Sequence, residues 1–222
     1  MAGKYLCNNI QKSTQICLKA KYLSAFLMLS VIFAAGMVLW PSQSSLHLPE
    51  GIEVERGDWI FREGTSRDSH LIQYLSKGRF SHIGMIVEVE PTILIAHATT
   101  DDDPNLPNQV LLTPLDDFLS EDKAKSFAVA RPRFLDKQQR LNAAVYAYQK
   151  IGTPFILDDQ DQPNFYCTTL ILDAVLTQTK TFSPQWQYLD LAIFRGNYLF
   201  PESFTKENIE WIYQSKSDDH IQ

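Results

Sequence analysis

Cys167 is the residue of this chain best placed to do chemistry. It stands in Asn164-Phe165-Tyr166-Cys167-Thr168-Thr169-Leu170, where an irregular stretch gives way to an apolar run of helical period. Cys7 and Cys17 precede a long apolar segment and Cys167 alone follows it, so it has no disulfide partner within its own domain. A free thiol is mostly protonated at neutral pH; a base at hydrogen-bond distance makes it a nucleophile, and a third polar group fixes the base's tautomer. A helix start would add stabilisation of the thiolate, and its free N–H groups could hold an oxyanion. The plain alternative is a small buried apolar residue without reactivity.

His82 and His97 are the candidate partners. Residues 80–89 alternate, with Ile83, Met85, Val87 and Val89 on one face and His82, Gly84, Ile86 and Glu88 on the other. Residues 92–98 form a second strand, with Ile93, Ile95 and His97 sharing a face. An even-numbered hairpin loop centred between Val89 and Glu90 would set His82 directly opposite His97, within reach of a hydrogen bond between imidazoles. His82 is then the base and His97 its orienter. Gly84 would leave open space beside His82, and Tyr166 could add a hydroxyl at an oxyanion. His70 and His220 read as solvated. Metal binding is the other use of such a set, but no CxxC or HxxxH spacing is present. No metal and no cofactor are expected.

These residues need a frame. Gly57 to Phe61 reads as a turn and a strand, Ser69–Leu75 as a short helix, residues 99–109 as a loop and residues 155–165 as an acidic loop. Val110–Leu112 and Phe127–Arg131 read as further strands. Asp136 caps a helix running to Lys150, with Leu141, Ala144, Val145 and Tyr148 on its apolar face. A second long helix runs from Cys167 to Thr177, and a last one is expected from Thr205 to Tyr213. Strands cluster before helices, so the fold class is α+β.

Residues 22–40 carry no charge over 19 positions, enough to span roughly 28 Å as a helix. Lys4, Lys12, Lys19 and Lys21 all precede this run, which places the N-terminus inside and the rest outside. The organisation is therefore a cytoplasmic segment 1–21, a transmembrane signal anchor 22–40, a tether 41–50 and a domain 51–222. A cleaved signal peptide and a secreted domain are the alternative. The four lysines leave −10 of the net −6 on residues 41–222, and no basic stripe offsets it. Nucleic acid is thus excluded as a partner.

Taken together, Gly57-Asp58-Trp59-Ile60-Phe61, Ser81-His82-Ile83-Gly84-Met85, Ala130-Arg131-Pro132, Gly152-Thr153-Pro154-Phe155 and Phe165-Tyr166-Cys167-Thr168-Thr169-Leu170 resemble the permuted papain-like amidases of the YiiX/YaeF type, within the NlpC/P60 superfamily. The resemblance covers roughly residues 51–200. It implies a circularly permuted papain-like fold, an antiparallel sheet packed against the helix that carries the cysteine. Cys167 matches the nucleophile and His82 the base, and Tyr166 and Thr168 would help hold the oxyanion or position the substrate. His97 falls where many members carry a glutamate, and a histidine there is similar to the lecithin retinol acyltransferase-like and NlpC/P60 patterns. Phe155 replaces a tyrosine common in the family, and Thr169 stands where a glutamate often follows. The implied activity is hydrolysis of an amide in a peptide, isopeptide or cell-wall stem peptide, by a domain held on the periplasmic side of a bacterial inner membrane. A lipid-ester hydrolase or acyltransferase is the second reading, and a catalytically silent binding module the third.

Overall fold

The computed structural model of the 222-residue chain describes residues 46–191 and 194–216. The expected segments 1–21 and 22–40 lie outside them. No helix of the described residues is long and apolar enough to cross a membrane. Leu46 and Leu48, inside the expected tether, pack on the domain, and the Leu46 N–H donates to Leu119 O.

Five strands come from the first part of the domain: β1 (Trp59–Gly64), β2 (His82–Glu88), β3 (Leu94–Thr99), β4 (Gln109–Pro114) and β5 (Ala124–Pro132). Helix α1 (Arg67–Ser76) joins β1 to β2, and the single turn α2 (Leu115–Phe118) follows β4. Then come the two long helices, α3 (Lys137–Gln149) and α4 (Cys167–Leu176), a hairpin β6 (Gln187–Asp190) with β7 (Arg195–Tyr198), the short α5 (Pro201–Thr205) and β8 (Ile209–Gln214). The main sheet is antiparallel throughout, in the order β4-β3-β2-β1-β5-β8.

Period-two alternation divides the sheet between two cores. Trp59, Phe61, Ile83, Met85, Ala96 and Ala130 face α3 and α4. Ile60, Ile86, Ile95, Phe127 and Val129 face the other way, under Phe118 and Leu119 of the α2 segment. Helix α4 buries Leu170, Ile171, Ala174 and Val175, the face its sequence indicates. Helix α3 begins in a capping box between Asp136 and Gln139, as its cap residue suggests.

The buried face of α3 differs from expectation. It consists of Arg140, Ala143, Ala144 and Ala147, while Val145 and Tyr148 are 39% and 52% exposed. The sheet selects the small side chains because they let the helix backbone come close. At Gly57, whose φ is +92°, a Cβ would lie 2.3 Å from the Arg140 carbonyl oxygen. The helix expected over Thr205–Tyr213 is also corrected. Pro201 starts a helix that ends at Thr205, and Ile209–Gln214 is a strand paired with β5. Its β-branched and aromatic residues suit the open edge of β5, and Trp211 lies 5.6 Å from Phe61, centroid to centroid.

The histidine hairpin is shifted from the register expected of it. Met85 pairs with Ala96 and Ile86 with Ile95, with a bulge before Glu88, because five residues (89–93) connect the strands rather than an even number. Continued, this register sets His97 opposite Gly84, with His82 two residues along on the same face. A Cβ on Gly84 would come within 3.2 Å of the His97 Cβ and 2.6 Å of Ile95 Cγ2. Gly84→Ala should therefore destabilise the domain by about 1–3 kcal/mol in chemical denaturation. An unchanged unfolding midpoint would show that the hairpin has room to spare.

Candidate active site

His82 is the first residue of β2, and His97 lies near the end of β3. Their diagonal placement brings the rings together: His82 Nε2 lies 2.9 Å from His97 Nδ1. The other His97 nitrogen, Nε2, is 2.9 Å from Thr113 Oγ1 on β4. Phe118 covers both rings, with centroids 5.7 Å from His82 and 4.9 Å from His97. Burial disfavours the charged form, holding His82 well below the ordinary imidazole range and pushing His97 down to about 3. Both are therefore neutral at physiological pH. Among the described residues no protein group bonds His82 Nδ1, which leaves that atom for a ligand or thiol.

Two residues that sequence reading passed over complete the histidine cluster. Arg62, directly opposite His82 in the β1–β2 register, is held to Asp102 by bonds of 2.8 and 3.1 Å. It also donates to Phe118 O at 3.0 Å and stacks over the Phe118 ring. Asp102 Oδ2 lies 3.9 Å from His97 Nδ1. Burial would raise the Asp102 pKa, but the charge and hydrogen bonds of Arg62 win and hold it well below the usual carboxylate range. Arg62 offered a signal, a cation at an inward-facing strand position, which demands a buried acid. Asp102 offered none, because it is one of three consecutive aspartates in a loop.

Cys167 opens α4 on the other side of the sheet. Its sulfur shares a cavity with His82, the residue at which β2 begins. Cys167 and His82 line one cavity of about 460 Å³, with Arg62, Asp102, Leu71 and Leu157 among its other walls. Cys167 is 9% exposed. Burial pushes its thiol up to about 11, against the pull of the backbone N–H groups of Ile83 and Thr168 and the charge of Arg62. The thiolate stabilisation expected at a helix start is present and is outweighed by desolvation. The resting pair is thiol and neutral imidazole.

Tyr166 and Thr168 both bond the backbone of Leu199. The Tyr166 hydroxyl accepts the Leu199 N–H at 2.9 Å, and the Thr168 hydroxyl donates to Leu199 O at 2.9 Å. Neither side chain is among the cavity's lining residues. They anchor the start of α4 to the residue that follows β7. Thr169 Oγ1 accepts the Tyr166 N–H at 2.7 Å and so caps the helix. Backbone N–H groups of Ile83, Cys167 and Thr168 act on the sulfur, and the Tyr166 hydroxyl lies near enough to interact with it electrostatically.

Alkylation of Cys167 by iodoacetamide, followed on its own peptide by mass spectrometry, should rise with pH toward a midpoint near 11. A midpoint at the ordinary thiol value of about 8.5 would show that burial does not control this sulfur.

Among the described residues no group of three or more His, Cys, Asp or Glu is placed to hold a metal ion. No curated protein matches the chain. The crystal structure of the metalloprotein yiiX from Escherichia coli O157:H7 has the same fold, with 18% identity and a TM-score of 0.59 over 72% of this chain and 97% of that one. The family model for the permuted papain-like amidase enzymes, YaeF/YiiX, C92 family, matches residues 53–208, and with α4 and its cysteine packed on an antiparallel sheet that carries the histidines, the chain belongs to that family of cysteine amidases.

Proposed function

We propose that the chain hydrolyses an amide in a peptide, isopeptide or cell-wall stem peptide, with Cys167 as nucleophile and His82 as base. The observation that carries this reading is the bond between His82 Nε2 and His97 Nδ1, which spends one ring nitrogen and leaves Nδ1 for the cavity that Cys167 lines. Cys167 loses its proton to His82 Nδ1 as sulfur attacks the carbonyl carbon. The Cys167 and Thr168 N–H groups receive the oxyanion. The intermediate collapses as His82 returns the proton to the leaving amine, and a thioester remains. His82 then takes a proton from water, hydroxide adds to the thioester, and the acid leaves with the thiol restored.

Substrate entry supplies what the resting site lacks. A thiol pushed up to about 11 ionises only when its proton has somewhere to go and the charge has donors to meet it. The four lysines before residues 22–40 support an anchored chain with its domain on the periplasmic side. The acidic balance of residues 41–222 disfavours anionic polymers as substrates.

One observation favours a second reading, an ester or amide of an apolar acyl group. Leu71 and Leu157 line the cavity and are 41% and 47% exposed. Incubating the full chain with cell-wall digests and, separately, with labelled phospholipids should release amine-bearing fragments from the first and leave the second intact. Fatty acid release without amide cleavage would replace the first reading with the second.

Cys167→Ala should abolish turnover and keep the unfolding midpoint; retained turnover would end the nucleophile assignment. His82→Ala should cost about 10²–10⁴-fold in kcat and more than His97→Ala, since the base acts in every turnover. Equal, small effects of both would place the base elsewhere.

A further inference from the structure

The histidine pair sits between two opposite charges, and this arrangement bears on where the thiol's proton ends. The inference rests on the cysteine-hydrolase reading of the same site. We propose that the two imidazoles form a proton relay that carries positive charge from His82 to His97, and that Asp102 is the positioning residue that makes His97 the favourable end. In the first movement Cys167 S–H gives its proton to His82 Nδ1. In the second His82 gives the proton on Nε2 to His97 Nδ1. Two bonds to hydrogen break, at sulfur and at His82 Nε2, and two form, at His82 Nδ1 and His97 Nδ1. His82 ends neutral. His97 ends as imidazolium, its Nε2–H donating to Thr113 Oγ1. The reverse passage returns a proton through His82 Nδ1 to the leaving amine.

The distances allow both ends of this path, 2.9 Å between the rings and 2.9 Å from His97 to Thr113. The charges give it direction. Arg62 pairs directly across the strands with His82, so a cation on that ring faces a guanidinium. Asp102 Oδ2 lies 3.9 Å from His97 Nδ1, so a cation there faces a carboxylate. Around His97 the attraction of Asp102 is stronger than the repulsion of Arg62, whereas around His82 the repulsion of Arg62 is stronger than the attraction of Asp102. At rest Arg62 neutralises Asp102, and both rings stay uncharged. A buried ion pair adds little stability over apolar packing of the same volume, so its place beside two imidazoles calls for another account. A carboxylate at position 97 would orient His82 but offer no second ring to take the charge.

The test is a double-mutant cycle on the full chain with p-nitrophenyl acetate, reading the burst of 4-nitrophenolate at neutral pH. His97→Gln keeps an acceptor for His82 Nε2–H but passes no proton on. Asp102→Asn should slow the burst about tenfold with His97 present and have little effect in the His97→Gln background. Asp102→Glu should recover most of the rate. The dependence on deuterium fraction should curve in the natural chain, where two protons move, and become linear in His97→Gln. Equal effects of Asp102→Asn in both backgrounds, or a linear dependence in the natural chain, would overturn the relay. If Asp102→Asn fails to fold because Arg62 is left unpaired, the pair Arg62→Gln with Asp102→Asn is read the same way. A natural chain that releases 4-nitrophenolate no faster than Cys167→Ala ends the hydrolase reading. The relay is then judged by imidazole ¹⁵N shifts of the unreacted protein, which must show both His82 and His97 protonated on Nε2; any other tautomer pair overturns it.

Discussion

The 2.9 Å contact between two buried imidazoles is the constraint around which this site is built. Two neutral rings meet only if one donates and the other accepts, so each tautomer commits the next. Thr113 can take either part at the far end, which lets the chain of bonds run in the direction the thiol needs. The contact requires that His82 and His97 sit diagonally rather than face to face. The five-residue connection and the bulge before Glu88 create that offset, and the missing side chain at Gly84 leaves room for it. Phe118 then shuts water away from the rings.

Exclusion of water decides the electrostatics. It keeps the imidazoles neutral and the thiol protonated, and it makes any charge that does form more strongly felt. The structure places one cation and one anion beside these groups and ties them to each other. Arg62 and Asp102 sit against the histidines with their side chains 7% and 9% exposed. Opposed backbone donors at Cys167 show the same balance: N–H groups favour the anion, burial disfavours it, and burial prevails in the resting state. Such a site holds its reactivity in reserve until a substrate carbonyl arrives to accept electron density.

Much of the frame was legible because period carried it. Strands β2 and β3 alternate cleanly, α4 repeats its apolar residues at helical spacing, and Asp136 announces the start of α3. Where packing chose against size, the signal failed. Val145 and Tyr148 look like core residues, yet α3 presents alanines to the sheet because close approach gains more than bulk. The tail misled for a related reason: Ile209–Gln214 found a partner in β5, far away in sequence. At the site, Cys167 and both histidines could be singled out by residue type and position. Their register could not, since the odd-numbered loop and the bulge together shift it by two residues without altering the alternation. Asp102 was hidden among equal neighbours, and only the fold distinguishes the acid that turns inward from those that remain in the loop.

The two hydroxyls that grip Leu199 read its peptide groups alone, one meeting the amide and the other the carbonyl. Such a latch is indifferent to which amino acid it holds. Position 199 is therefore free to drift among residues of suitable bulk while Cys167 stays fixed, and a tally of which side chains recur there would miss the mooring altogether.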